Sequence, residues 1–218
     1  MMLPEETYIH ETAYVDEPCE VGQGTRIMHF CHIMANSVIG SHCQIGHNVT
    51  IATGVLIGDN VRVLNNTMLN SGVILEDDVY CGPSTVFAPL KYIWGQAMVV
   101  SKVHPTLVKR GSSIGANTTI ASGFTIGQHT FIESGTVVDR NIPDFAIVYG
   151  NPVQFAGWRC ECGEILQFQS RDEASCAKCG SHYGRPSETA VVQLVSERNR
   201  HDSHIQSPAP IRSIEKPD

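Results

Sequence analysis

Apolar residues recur at every sixth position along the first 87 residues of the chain. The series has fourteen members, none of them polar: Ile9, Val15, Val21, Ile27, Ile33, Ile39, Ile45, Ile51, Ile57, Val63, Leu69, Leu75, Cys81 and Phe87. Four residues after each of the first thirteen stands a small or β-branched residue, for example Ala13, Cys31 or Val49. A six-residue period matches neither an α-helix nor a free strand, so it predicts a short strand followed by a corner, repeated many times.

Three such sides close one coil of 18 residues, and coils stack at the strand spacing of about 4.8 Å. The pattern therefore predicts an all-β fold, a left-handed parallel β-helix built from hexapeptide repeats. An ordinary β-sandwich would not keep one phase over this length. Glycine often follows the apolar residue, as at Gly22, Gly40 and Gly46, and we expect it to supply unusual backbone angles at the corners.

The period is lost after Phe87 and resumes from Val108 to Val138. The 21-residue gap is not a multiple of six, so the sequence predicts a protruding loop at 88–107 within a β-helix domain at 8–157. Loops on a rigid scaffold often carry function. The repeats before and after the loop together predict between six and seven coils.

The C-terminal quarter of the chain has a different composition. A cysteine-containing segment at 158–183 precedes a segment rich in proline and serine at 184–218. We expect the latter to be a largely disordered tail, in which the apolar patch from Ala190 to Val195 forms at most one or two helical turns.

The eight cysteines divide into two groups of four. Cys19, Cys31, Cys43 and Cys81 fall on interior positions of the repeat, where cysteine acts as a small buried apolar residue. The other four form two close pairs, each followed by glycine: Cys160, Cys162, Cys176 and Cys179. This spacing predicts a structural Zn²⁺ site in a zinc-ribbon-like module. Two disulfides are the alternative.

Charge and hydropathy exclude several classes of function. The chain has 22 acidic and 15 basic residues, a formal net charge of −7, and no run of Lys or Arg longer than two, which disfavours nucleic acid as a partner. No apolar run has the roughly 18–20 residues needed to cross a bilayer. The N-terminus lacks the basic and apolar regions of a signal peptide. We therefore expect a cytoplasmic protein without a membrane partner.

Several segments of the repeat resemble one family. They are Arg26–Ile33, Leu64–Asn66, Glu76–Ser84, Lys109–Asn117 and Val148–Val153. They are similar to hexapeptide-repeat acyltransferases, in particular the nucleotide-sugar N-acetyltransferases that acetylate the 3-amino group of UDP-2-acetamido-3-amino-2,3-dideoxyglucuronate for O-antigen (lipopolysaccharide) biosynthesis. The resemblance implies a homotrimer, with acetyl-CoA in the groove between neighbouring prisms. It also implies that the adenine end of acetyl-CoA contacts Ala116 and Ser134, with Arg140 near the phosphates.

The sugar-binding side follows from the repeat itself, because corner residues 18 apart stack along one edge. Two neighbouring polar columns result, and from them we select His29, His47, Asn48, Asn65, Asn66 and Ser84 as substrate-binding candidates. We add His32 from the matching motif and Asp77 from the acidic run Glu76–Asp78. Each of these assignments has an alternative. The asparagines stabilise the corners, the acidic run is a solvated turn, and Ala116 and Ser134 are ordinary corner residues.

The catalytic centre departs from the family pattern. The family's reactive corner has the sequence Val-Phe-Thr-Asn, whereas this chain has Val86-Phe87-Ala88-Pro89, and Pro89 cannot make the asparagine's hydrogen bond. The loop contains His104-Pro105, and some sugar O-acetyltransferases of the superfamily use a His-Pro histidine as general base. His104 is therefore the candidate catalytic base, with an exposed loop histidine as the alternative.

The favoured function is acetyl transfer from acetyl-CoA to the amino group of a nucleotide-linked sugar. Three alternatives stay open: a sugar O-acetyltransferase using His104, a β-helix scaffold without catalysis, and a metalloenzyme resembling γ-carbonic anhydrase. The metalloenzyme is the least favoured, because His42 and His47 occupy the wrong corner positions for that family's ligands and no third histidine stands two coils upstream.

Overall fold

The computed structural model describes residues 6–88, 104–168 and 172–195. Pro89, most of the predicted loop and residues 196–218 of the predicted tail lie outside these ranges. Twenty short strands form the repeat. In chain order they are β1 (Tyr8–Ile9), β2 (Tyr14–Val15), β3 (Glu20–Val21), β4 (Arg26–Ile27), β5 (His32–Ile33), β6 (Val38–Ile39), β7 (Gln44–Ile45), β8 (Thr50–Ile51), β9 (Leu56–Ile57), β10 (Arg62–Val63), β11 (Met68–Leu69), β12 (Val73–Leu75), β13 (Tyr80–Cys81), β14 (Val86–Ala88), β15 (Thr106–Val108), β16 (Ser113–Ile114), β17 (Thr119–Ala121), β18 (Thr125–Ile126), β19 (Phe131–Ile132) and β20 (Val137–Val138).

Each strand pairs in parallel with the strand one coil later, so the chain winds into a three-sided solenoid. Face A begins β1-β4-β7, face B begins β2-β5-β8, and face C contains β3-β6-β9. The register offset is 18 residues, as in the pairs Tyr8↔Arg26 and Ile27↔Ile45. Six full coils precede a seventh whose third side is a single bridge between Ile126 and Ile142. The all-β class and the parallel coil predicted from the six-residue period are confirmed, and the solenoid is consistent with a left-handed β-helix.

The apolar column forms the core of the solenoid. From Ile27 to Val138 its members are at most 3% exposed, because each is covered by the equivalent residues above and below. Ile9 in the first coil is 43% exposed, since within the described residues no coil lies beneath it. The N-terminal end of the core is therefore open.

The small residues of the second column tie successive coils together. Their hydroxyl or thiol groups donate to a backbone carbonyl 15 residues later, as from Thr25 Oγ1 to Gly40 O (2.6 Å), Cys31 Sγ to Gly46 O (2.8 Å) and Ser112 Oγ to Gly127 O (2.6 Å). The pairing satisfies polar groups inside an apolar prism, where an unpaired group would be costly. Burial raises the pKa of Cys81 to about 12, which keeps its thiol protonated.

The glycines that follow the apolar residue have a different role from the one we expected. None of Gly22, Gly40, Gly46 and Gly58 has a positive φ; the left-handed angles occur two residues further on, as at Gly24, His42 and Asn48. A Cβ atom on Gly22 would lie 2.5 Å from the carbonyl carbon of Gly40. These glycines are therefore required by close stacking of the corners, and our prediction of unusual angles at them was wrong.

The inserted loop leaves the prism at a single corner. Strand β14 ends on face B at Ala88, and β15 begins on face C at Thr106. Leu75 pairs with Val108, an offset of 33 instead of 18, so fifteen extra residues enter here without disturbing the stack. Ala88 pairs with Ala121, and Thr106 and Leu107 also belong to the ladder, so the loop is shorter at both ends than predicted.

Six further strands follow the repeat: β21 (Ala146–Tyr149), β22 (Gln154–Arg159), β23 (Ile165–Leu166), β24 (Glu173–Ser175), β25 (His182–Ser187) and β26 (Ala190–Val195). Strands β21, β22 and β23 extend face A, with the last two antiparallel, so the predicted domain boundary at 157/158 falls inside a strand. Strands β24 to β26 form a separate antiparallel sheet.

The predicted tail is wrong over its first part. Residues 184–187 and 190–195 lie in paired strands, with Val191 buried, where we expected disorder and a helical turn. A six-residue apolar patch fits a strand as well as a helix, and tertiary packing decides between them. The part of the chain that the structure describes contains no helix able to span a membrane.

Replacement of Gly115 by alanine tests the close-stacking role of these glycines. A Cβ here would lie 2.5 Å from Ser134 N and 2.8 Å from Glu133 C, so the backbone must shift. We expect a loss of about 1–3 kcal/mol in the free energy of unfolding, measured by urea denaturation. Gly54→Asn is the control: space around Gly54 is open, its φ is +72°, and asparagine tolerates that angle. Equal stability of the two variants would contradict this role.

Candidate functional site

The corner between faces A and B places most of the predicted site residues on one edge. This A–B corner consists of residues 10–13, 28–31, 46–49, 64–67, 82–85, 115–118 and 133–136. The substrate candidates His29, His47 and Asn65 occupy the same register position as the cofactor candidates Ala116 and Ser134. Because the inserted loop leaves from another corner, the substrate and cofactor candidates form one continuous column.

The asparagines of this column stabilise the corners. Asn65 Oδ1 accepts a hydrogen bond from the backbone N–H of His47 at 2.9 Å, and Asn48 Nδ2 donates to Asn66 Oδ1 at 3.2 Å. The structure therefore realises the stabilising alternative for these three side chains. Asn48 and Asn66 are nevertheless exposed, with Asn48 Oδ1 and Asn66 Nδ2 not used in that bond. They have hydrogen-bonding capacity for a ligand as well.

A ladder of histidine rings lies at the N-terminal end of the A–B corner. The ring centroids of His10 and His29 are 3.4 Å apart, and those of His29 and His47 are 4.9 Å apart. Desolvation lowers the pKa of His29, and proximity to His10 and His47 lowers it further. The ring of His29 is thus held neutral, and its Nδ1 is buried without a hydrogen-bond partner. Sequence reasoning missed His10 because it stands one residue after the apolar position instead of two.

Two predicted substrate residues lie away from this corner. His32 is on strand β5 of face B, where its Nε2 is 3.2 Å from Asp16 Oδ2. Asp77 is at the corner between faces C and A, where its carboxylate accepts from the backbone N–H of Asp59 at 2.9 Å and from Arg110 Nη2 at 2.6 Å. Within one chain, the structure does not bring either residue to the His-Asn column.

The acidic run is part of the framework of its corner. Glu76 Oε2 accepts from the backbone N–H of Arg110 at 2.9 Å, and Asp78 Oδ1 accepts from Asn60 Nδ2 at 2.7 Å. Arg110, which sequence reasoning did not select, holds two of the three carboxylates. These acidic groups stabilise the stacking of the corner, as the solvated-turn alternative requires.

Ser84 and the two cofactor candidates, which lie further along the A–B corner, have defined backbone contacts. Ser84 has a φ of 58° and donates its backbone N–H to Asn65 O at 2.9 Å. At the C-terminal end, Ala116 N–H donates to the exposed side chain of Ser134, whose Oγ lies 3.2 Å away. The Ser134 hydroxyl oxygen is the acceptor in this bond, so its hydrogen is not used there.

The candidate base His104 lies on a different edge. It is exposed and lies two residues before the start of strand β15, at the corner between faces B and C. Asn70, at the same corner one coil earlier, donates its side-chain N–H to Phe87 O and so fixes the start of the loop. Within one chain, face B of the prism therefore lies between His104 and the polar column.

The cofactor candidate Arg140 also lies on the B–C edge. It is exposed, and its Nε is 2.9 Å from Asp139 Oδ1. It lines a cleft of about 740 Å³ between the last coil and the C-terminal strands, together with Lys109, Phe155 and Trp158. Within one chain Arg140 is not beside Ala116 and Ser134.

The four C-terminal cysteines form a compact cluster. The Sγ atoms of Cys160 and Cys179 are 3.4 Å apart, those of Cys162 and Cys176 are 3.5 Å apart, and all four lie within 4.8 Å of one another. None forms a disulfide. Tyr183 supports the cluster, with its hydroxyl 3.1 Å from Cys160 Sγ and 3.1 Å from Glu161 N. The disulfide alternative is therefore not realised.

The histidine pair considered for a metalloenzyme is separated by a strand. His42 lies at the C–A corner and His47 at the A–B corner, with β7 of face A between them. Among the described residues, the cysteine cluster is the group of side chains that lie close enough together to hold a metal ion. This geometry gives no support to a γ-carbonic-anhydrase-like site within one chain.

Comparison with known families identifies the repeat. Residues 5–53 match the family described as bacterial transferase hexapeptide (six repeats), and residues 36–71 and 110–140 match the hexapeptide repeat of succinyl-transferase. A Bacillus cereus structure provisionally named an acetyltransferase superposes with a TM-score of 0.50 at 20% identity, covering 71% of this chain and 83% of its own. The two family matches cover parts of the repeat, and the superposition shows that the fold is shared.

Two relatives of known name share part of the repeat. The dTDP-3-amino-3,6-dideoxy-α-D-galactopyranose 3-N-acetyltransferase of Aneurinibacillus thermoaerophilus is 39% identical over 90 residues, which is 41% of this chain and 45% of that enzyme. An acyl-[acyl-carrier-protein]–UDP-N-acetylglucosamine O-acyltransferase of Brucella ovis is 45% identical over 38 residues, 17% of this chain and 14% of that enzyme. The chain thus spans less than half the length of either relative.

The neutral His29 ring predicts a dependence of stability on pH. A histidine whose pKa is lower in the folded state binds fewer protons there, so its contribution is present above the ordinary value of 6.5 and is lost as the pH falls below it. We expect the melting temperature to fall more between about pH 7.5 and 5.5 in the wild type than in His29→Asn. If the melting temperatures of the two proteins changed equally with pH in a thermal-shift measurement, a neutral His29 ring would be contradicted.

Proposed function

We propose that this protein transfers the acetyl group of acetyl-CoA to the amino group of a nucleotide-linked amino sugar, in the synthesis of surface-polysaccharide precursors. The observation that carries the proposal is the continuous A–B corner, where polar side chains suited to a sugar and the positions suited to the cofactor share one column. The 39% identity to a dTDP-amino-sugar N-acetyltransferase supports the same substrate class.

The polar column supplies hydrogen-bonding groups for the sugar. His47, Asn48, Asn66 and Ser84 offer donors and acceptors along about two coil spacings, roughly 10 Å. Ala116 and Ser134, further along the same edge, are the positions for the adenine end of acetyl-CoA. The amine and the thioester then meet between these two sets of residues, in the orientation that a bimolecular transfer needs.

In the reaction, the amine nitrogen forms a bond to the acetyl carbon, the carbon–sulfur bond breaks, and CoA leaves as the thiol. The amine must lose one proton during the transfer. His104 is the base that we assign to this proton, with the imidazole suited to proton transfer near neutral pH. Backbone N–H groups of the corner are suited to stabilising the oxyanion.

A homotrimer would complete the site. His104 and Arg140 lie on the B–C edge, whereas the sugar and adenine positions lie on the A–B edge of the same chain. In a ring of three prisms, the B–C edge of one copy can face the A–B edge of the next, because a cyclic interface joins two different surfaces. We therefore propose that each site takes His104 and Arg140 from one copy and the polar column from its neighbour.

A turnover assay tests this function. The full chain is incubated with acetyl-CoA and a panel of UDP- and dTDP-linked sugars that carry either an amino or a hydroxyl group at the reacting position. We expect release of free CoA thiol with an amino sugar, and a fall in kcat of about 100-fold in His104→Ala.

The matched control is His42→Asn, which removes an imidazole from the C–A corner and should keep wild-type kcat. Transfer to hydroxyl sugars alone would show an O-acetyltransferase instead. Absence of both turnover and stabilisation by acetyl-CoA would favour a scaffold without catalysis. An unchanged kcat in His104→Ala would reject this histidine as the base.

We further propose that Cys160, Cys162, Cys176 and Cys179 hold a structural Zn²⁺. In a tetrahedral site with Zn–S bonds near 2.3 Å the sulfur atoms are about 3.8 Å apart, close to the 3.4 Å between Cys160 and Cys179 and the 3.5 Å between Cys162 and Cys176. Four thiolates leave no open position, so the ion's role is to hold the two hairpin ends together. The eight unpaired cysteines also support a reducing compartment, and we place the protein in the cytoplasm.

Metal analysis of the purified chain tests the zinc site. We expect about one zinc per chain, and loss of the metal in the double variant Cys176→Ser/Cys179→Ser, with a lowered melting temperature. The matched control, Cys43→Ser, changes an inner cysteine and should retain the zinc. Wild-type protein that is free of zinc after purification without chelators, and that gains no stability from added Zn²⁺, would contradict the assignment.

A further inference from the structure

Phe30 is an exposed aromatic residue in a backbone conformation that suits it poorly. It is 65% exposed and has a φ of 60°, in the left-handed region. The same position recurs at each corner, every six residues, and at most corners it holds glycine, asparagine, aspartate or serine. Glycine and these short polar residues tolerate the left-handed region, whereas a bulky side chain there is strained.

Phe30 also lacks the burial that offsets the same strain at Phe145. Phe145 has a φ of 64° but is 1% exposed, with its ring stacked on His129 at 5.5 Å and packed edge-on against Tyr183 at 5.3 Å. Phe30 gains no comparable packing: its ring centroid is 6.1 Å from that of His29, and its side chain stays exposed. A residue that breaks the local rule without a packing gain marks a functional position.

The surroundings of Phe30 are aromatic on one side and polar on the other. Its neighbour His29 is the middle ring of the ladder with His10 and His47. Asn48 occupies the next position along the A–B corner, and Asn66 and Ser84 follow it at 18-residue intervals. The flat apolar ring thus stands at the N-terminal end of the polar column, at the opposite end from Ala116 and Ser134.

We propose that Phe30, with His29 beside it, is a stacking surface for the base of the nucleotide-linked sugar; this inference rests on the proposed function. Aromatic side chains bind the flat face of any nucleobase, and such stacking does not require hydrogen bonds to the base edge. The base then lies at Phe30 and the sugar lies along Asn48, Asn66 and Ser84. The acetyl donor occupies the next coils, so the substrates follow one edge in order.

Direct binding of nucleoside diphosphates tests the stacking surface. Titration calorimetry of the full chain with UDP and with dTDP is compared with titration of ribose 5-phosphate, which carries no base. We expect Phe30→Leu to weaken binding of both nucleotides on the order of 10-fold and Phe30→Tyr to retain it, because leucine keeps apolar volume but not the flat ring. Nucleotide affinity that is unchanged in Phe30→Leu would overturn the proposal.

The variant Phe30→Asn separates binding from folding. It introduces the residue found at the same position in the next two coils, so it relieves the strain and should raise the melting temperature by about 2–4 °C while still weakening nucleotide binding. Tyr14→Leu is the matched control: Tyr14 is 67% exposed on face B, and its replacement should leave nucleotide affinity unchanged.

Two further outcomes discriminate the remaining explanations. A change of oligomeric state in Phe30→Asn, measured by light scattering, would overturn the proposal in favour of a contact between copies of the chain. If nucleotide binding depends on the ring at position 30 but no sugar of the panel is acetylated, the stacking surface is supported and the proposed reaction fails. Acetylation of a panel sugar, with a KM for the nucleotide sugar that is unchanged in Phe30→Leu, would support the proposed reaction and overturn the stacking surface.

Discussion

The structure depends on one constraint: the strands of the repeat must pair with the strand one coil later, at an offset of 18 residues that rises to 33 across the inserted loop. Side chains enforce this register from within, because Thr25 or Cys31 donates to a carbonyl 15 residues further on. Glycines enforce it at the corners, where Gly22 lets the backbones of two coils approach closely. The same register converts a sequence interval into a column of side chains on the surface. The candidate site is therefore a direct product of the repeat that builds the core.

The repeat made the fold and the A–B corner predictable. An apolar residue at every sixth position fixes both the coil and the residues that stack at each corner, which is how His29, Asn48 and Ser84 were assigned to one edge. Ser134 was selected from the family resemblance instead. His10 was missed since it lies outside that register, although its ring stacks closely on His29. The ion pair of Asp77 with Arg110 was not predicted because it crosses the inserted loop, so the partner stands 33 residues further along the chain. Both contacts depend on how the coils stack in three dimensions, which the six-residue period alone does not specify.

The two ends of the solenoid differ in how the core is closed. At the C-terminal end, β21 and β22 continue face A, Phe145 and Trp158 are buried, and Phe145 packs edge-on against Tyr183 of β25. At the other end Ile9 and Tyr8 are exposed. The C-terminal strands thus act as a cap, which sequence composition alone did not show because β26 resembles a short helix or a tail. The cysteine cluster lies within that cap, so its stability and the stability of the last coils are coupled.

The insertion between Ala88 and Thr106 adds residues at one corner while the pairs on either side, such as Ala88 with Ala121, keep their alignment. A segment attached in this way is free to vary in length and composition during evolution without altering the opposite edge. The scaffold can therefore acquire new reactive groups from the B–C side while preserving an inherited recognition surface. Diversification of chemistry among such proteins is then a matter of exchanging one appendage, not of redesigning the prism.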